Sequence, residues 1–144
     1  MSVPLLRPRI LLIEDNAHRI EKFRAWLSES EFVLIEASSG GRALGILRPG
    51  MTTGIAGILL DHDLDLQPVT SMDVELSASN LLSAIAFSMP RSTPILIHSM
   101  NATKPPMMER RLKTAGFSVS RIRMVALTRD LFEAWLQDVR ENWE

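Results

Sequence analysis

Apolar and polar positions fall into blocks along this chain, and the blocks repeat in a regular order. Short apolar runs at Arg9–Ile13, Glu31–Glu36, Ile55–Leu60, Pro94–Ile97 and within Val119–Leu127 read as strands. Nearly continuous apolar runs are what strands covered on both faces of a parallel sheet require. Helical spacing fills the gaps between them. Ile20, Phe23, Trp26 and Leu27 form one stripe between Asn16 and Ser28, and Gly40–Leu47 predicts a short helix stopped by Pro49 and Gly50. A third helix is predicted over Asn80–Met89, capped near Ser77 or Ser79. Pro105 and Pro106 suit the first turn of a fourth, which ends at Gly116. Thr128 caps the last, with Leu131, Phe132, Trp135, Leu136, Val139 and Trp143 at helical spacing. The stretch Leu64–Ser77, polar and containing Pro68, shows no period and is expected to be a long binding loop. Five strand–helix units in succession predict one domain over residues 1–144, a three-layer α/β/α sandwich around a five-stranded parallel sheet of order 2-1-3-4-5.

Three of the strands end in chemistry. The first runs into Glu14 and Asp15, the third into Asp61, His62 and Asp63, and the fourth into His98, Ser99, Met100 and Asn101. Open α/β sheets bind ligands just beyond the carboxyl ends of their strands, where the strand order reverses. Strands one and three meet there, so Glu14 and Asp15 are expected beside Asp61. Three carboxylates so close repel one another and call for a cation, and hard oxygen ligands favour Mg²⁺. The same residues have a plainer use: Asp15 and Asn16 can cap the first helix, and Asp61 and Asp63 can end a strand in a turn. His98 is expected near Asp61, with His62 adjoining, and two imidazoles can exchange protons near neutral pH. His18 reads as a helix-surface residue. Ser99 and Asn101, with Asp63 nearby, are candidates for holding phosphate oxygens before a helix, although serine and asparagine also commonly satisfy turns.

Composition narrows the classes. A net charge of -1 offers no general surface for nucleic acid, and the lack of cysteine excludes disulfides and thiolate chemistry. No stretch reaches membrane-spanning length, so a cytoplasmic protein is expected. Ser99 lacks the Gly-x-Ser-x-Gly setting of a hydrolase nucleophile.

The pattern resembles the receiver domain of two-component signalling over nearly the whole chain. That resemblance implies Glu14 and Asp15 as magnesium ligands, Asp61 as phosphoacceptor and Ser99 as switch hydroxyl. Receivers also carry a lysine at the end of the fifth strand, where this chain reads Met124-Val125-Ala126-Leu127-Thr128-Arg129. Arg129 differs from it in shape and position. A closer likeness is to the receiver-derived cyclic-phosphate processing receiver domain family. It rests on Leu60-Asp61-His62-Asp63-Leu64, on Leu76-Ser77-Ala78-Ser79-Asn80, on His98-Ser99-Met100-Asn101, and on Ala134-Trp135-Leu136 with Val139-Arg140. Ala78 stands where that family usually has glycine. The likeness implies a flavodoxin-like, receiver-like fold and metal-assisted binding or hydrolysis of a cyclic phosphate on a nucleotide or RNA end. Three readings follow: a phosphoesterase using Asp61, His62 and His98; a response-regulator receiver phosphorylated on Asp61; and a non-catalytic module binding a phosphorylated ligand.

Overall fold

Five parallel strands carry the fold: β1 (Arg9–Ile13), β2 (Val33–Ala37), β3 (Ile55–Asp61), β4 (Ile95–Ser99) and β5 (Val119–Arg123). Their order is β2-β1-β3-β4-β5, the predicted one. In this computed structural model the described residues are 7–48, 50–61, 71–99 and 107–143, with the backbone alone at 71–78. Helices α1 (Ala17–Leu27), α2 (Gly40–Ile46), α3 (Ser71–Ser88), α4 (Met107–Thr114) and α5 (Arg129–Asn142) connect and cover the strands, and a single 3₁₀ turn, Met124–Ala126, precedes α5.

Every residue of β3 and β4 is buried, as their unbroken apolar runs require. Alternation along the strands sorts side chains onto two faces. Leu11, Ile13, Ile58, Leu60, Ile95 and Ile97 pack with residues of α2, α3 and α4. Ile10, Leu12, Leu59 and Leu96 pack with Phe23 and Leu27 of α1 and with Phe132, Trp135, Leu136 and Val139 of α5. Gly57 marks the closest approach on that second face. A Cβ there would lie 2.9 Å from Trp135 and 3.1 Å from Val139, so only glycine lets α5 settle onto β3.

Local signals set the helix ends. Asn16 Oδ1 accepts the Arg19 N–H, Ser39 Oγ the Arg42 N–H, and Thr128 Oγ1 the Leu131 N–H, each satisfying a donor the helix leaves open. The predicted stop at Gly116 is a Schellman turn. Its φ is +104°, its N–H donates to Lys113 O, and the Phe117 N–H donates to Leu112 O.

Beside shifts of one or two residues at β2, expected over Glu31–Glu36, and β3, expected over Ile55–Leu60, two boundaries differ in ways that bear on the site. The third helix begins at Ser71 rather than near Asn80, so neither Ser77 nor Ser79 caps it, and 71–77 belongs to a helix instead of a binding loop. Once Leu81, Leu82 and Ile85 anchor the helix in the core, propagation through glycine- and proline-free residues is cheap even without an apolar period. β4 also continues past Ile97 to Ser99 because His98 and Ser99 pair with Ile122 and Arg123 of β5. Pro68, Pro105 and Pro106 lie outside the described residues.

Candidate functional site at the carboxyl end of the sheet

Register decides which strand-end side chains meet. Ile13 pairs with Leu60, and Asp61 pairs with His98, so Glu14 follows β1 at the level of Asp61. All three lie on the face covered by α1 and α5, where Phe23 of α1 packs 5.1 Å from the His98 ring. Glu14, Asp61 and His98 are buried, and each offers a ligand atom within 4.8 Å of the others.

Glu14 is the hub. Its Oε1 accepts the backbone N–H groups of Asp15 and Asn16 at 3.1 and 3.0 Å, and Arg19 Nη2 at 2.9 Å. Its Oε2 accepts Arg19 Nε at 2.9 Å and meets His98 Nε2 at 2.6 Å. Burial alone would raise the Glu14 carboxyl, but the hydrogen bonds from His98 and Arg19 outweigh it and hold the group far below the usual carboxylate range. An ionised Glu14 can only accept, so His98 Nε2 carries the proton between them. His98 Nδ1 is buried and has no hydrogen-bond partner among the described residues.

Arg19 is the participant that sequence reasoning missed. Besides its two-pronged contact with Glu14, its Nη2 lies 3.5 Å from Asp61 Oδ2. The Glu14 hydrogen bonds, with Asp61 and Asp15 adding attraction, overcome partial burial and raise its pKa. One signal pointed to it: Arg19 is three residues past the cap Asn16, which turns a first-turn side chain back over the end of β1. Beside it, a groove of about 420 Å³ is lined by Asn16, His18, Arg19, Lys22, Met124 and Val125.

The other expected residues are placed as follows. Asp15 is exposed and stands outside the close-set group of ligand atoms, because it begins the turn into α1 instead of continuing the inward face of β1. Ser99 is buried one residue beyond His98, so strand alternation directs the two side chains to opposite faces. His18 is exposed, as expected. Arg129 is also exposed and lies 3.8 Å from Glu29, so its charge is engaged there. His62, Asp63 and Asn101 lie outside the described residues.

The donor set is of a metal-ligating kind, but its present arrangement does not suit Mg²⁺. Glu14 already faces five donors on about four lone-pair directions, and one of its partners is a cation in contact with Asp61. Magnesium demands an octahedron of oxygens and keeps several waters, whereas the third potential ligand here is an imidazole nitrogen.

No protein-family model matches the chain, and no curated protein sequence matches it. Solved structures do. The signal receiver domain of an HD-domain-containing protein from Pseudomonas fluorescens Pf-5 is similar, with 18% identity over 94% of this chain and 97% of that one and a TM-score of 0.69. So is the signal receiver domain of a LuxO repressor protein from Vibrio parahaemolyticus, with 19% identity, 95% and 93% coverage and a TM-score of 0.67. A third is the receiver domain of a sensor histidine kinase from Pseudomonas aeruginosa PAO1, which has a magnesium ion in its active site cleft. It shares 20% identity over 92% of this chain and 98% of that one, with a TM-score of 0.62.

The chain has the receiver fold. These neighbours are receiver domains at large, and they give no support to the narrower cyclic-phosphate grouping suggested by the motifs. Among the described residues, no helix is long and apolar enough to cross a membrane.

Proposed function

We propose that this receiver-fold domain handles a phosphoryl group at the carboxyl end of its sheet, with Asp61 as the acceptor. The observation that carries this reading is the Arg19 guanidinium, 3.5 Å from Asp61 Oδ2 and braced on Glu14. A phosphoryl group on Asp61 gains negative oxygens, and a planar, permanently charged fork is well suited to hold them. Arg19 thereby supplies from α1 a cation beside the acceptor. Incubation with acetyl phosphate, with and without Mg²⁺, should add one phosphoryl group to the intact mass, and Asp61→Asn should abolish the gain. No adduct on the parent chain under either condition rejects the reading.

A second reading is favoured by the buried His98–Glu14 contact of 2.6 Å. A carboxylate that fixes an imidazole tautomer prepares the opposite ring nitrogen for proton transfer, and His98 Nδ1 has no partner among the described residues. Such a pair suits opening of a cyclic phosphate on a nucleotide or RNA end, with Asp63 and Asn101 as the proposed phosphate-side contacts and His62 as the proposed second imidazole. Hydrolysis of a 2′,3′-cyclic nucleotide that disappears in His98→Ala, with no stable adduct, would select this reading over the first. Mg²⁺ belongs to either reading only if Arg19 gives way.

A further inference from the structure

We infer that Arg19 is a built-in counter-cation occupying the charge position a divalent ion would take, and that metal and Arg19 exclude one another at Glu14 and Asp61. The inference concerns only which cation sits there. It stands whether or not Asp61 receives a phosphoryl group.

Two observations carry it. The first is saturation: Glu14 Oε1 has three donors and Oε2 has two, so no oxygen of Glu14 is open to a new ligand while Arg19 is in place. The second is charge. Arg19 Nη2 reaches Glu14 at 2.9 Å and Asp61 at 3.5 Å, so a dication touching both carboxylates would sit within contact range of a guanidinium. At such separations in a partly buried setting, the two like charges repel one another strongly. The donors from Asp15 and Asn16 are backbone N–H groups, and the His98 side chain is buried. Arg19 is the partner that can leave. Its side chain is 16% exposed and borders the groove shared with Asn16, His18, Lys22, Met124 and Val125, which offers a way out. Outside the pocket the guanidinium regains water, whereas Glu14 and Asp61 would gain a metal in exchange.

Mn²⁺ is the probe, read by the loss of its free-ion electron paramagnetic resonance signal on the full chain. Arg19→Gln should bind Mn²⁺ at least about tenfold more tightly than the parent, because one unit of opposing charge is gone. Arg19→Lys, which keeps charge but loses the fork, should fall between them. If Arg19→Gln does not fold, tighter binding by Arg19→Lys than by the parent serves the same end. In the parent chain, the Arg19 Nε–H signal should weaken and exchange faster as Mg²⁺ is added to high concentration. Equal or weaker metal binding by the folded variants overturns the inference. So does the absence of binding in all of them, or metal binding that leaves the Arg19 Nε–H signal unchanged.

Discussion

The two faces of the sheet are built on different principles. Toward α2, α3 and α4 the core is aliphatic, with Ile, Leu and Ala supplying nearly all of the packing and Phe117 at its margin. Toward α1 and α5 it is aromatic, and the row Trp26, Phe23, Phe132 and Trp135 runs with ring centres 5.3–5.9 Å apart. Within that group Phe23 packs against His98, and beyond His98 come Glu14, Arg19 and Asp61. Among the described residues, the first of these faces is packed almost wholly by apolar side chains. The other must also keep a charged cluster dry, and large flat side chains wall it from water with few rotatable bonds. The comparison teaches where a change will cost stability alone and where it will also alter charge.

Breaking the charged face should have the largest effect. Glu14→Ala leaves Arg19 and His98 without their shared acceptor in a buried place, at a cost of about 3–5 kcal/mol in chemical denaturation. Its pH dependence has a definite sign. Because the folded chain holds the Glu14 carboxyl below its ordinary value, the parent gains this stability fully above about pH 4.3 and loses it as the pH falls further. Acid titration of stability should be shallower in Glu14→Ala than in the parent.

Leu60→Ala tests the aliphatic face one residue from Asp61. It should cost about 2–5 kcal/mol through the cavity it opens, and the acid slope of the parent should persist. An altered acid slope in that variant would mean that the two faces are not independent. Gly57→Ala presses a methyl group against Trp135 and Val139, and should cost about 1–3 kcal/mol while raising the exposure of Trp135 fluorescence to quenchers. The smallest change is Asn16→Ala, which removes the cap of α1. About 1 kcal/mol of stability should go with it in thermal melts. If Arg19 depends on that cap for its aim, Mn²⁺ will also bind more tightly than to the parent.

Much of this architecture was legible without coordinates. Buried parallel strands announce themselves because both faces demand apolar residues, and the apolar run ending at Leu60 gave the third strand to within one residue of its described extent. Asn16, Thr128 and Gly116 act within a turn of themselves, so they too could be read locally. The start of α3 could not. A helix with a weak apolar stripe owes its length to packing at one end, and packing is a property of the assembled layers.

The site divides the same way. Which residues stand at strand ends follows from the chain alone, since the apolar runs that mark the strands are local patterns. Which of them touch does not. Glu14 turns inward and Asp15 outward because register and alternation are settled only when β1 lies beside β3, and Asp61 faces His98 because β4 pairs at that offset. Arg19 had no strand-end signature at all. Its place between two carboxylates arises from a helix docking across the end of the sheet, a distance of 42 residues in sequence from Asp61 and 3.5 Å in space.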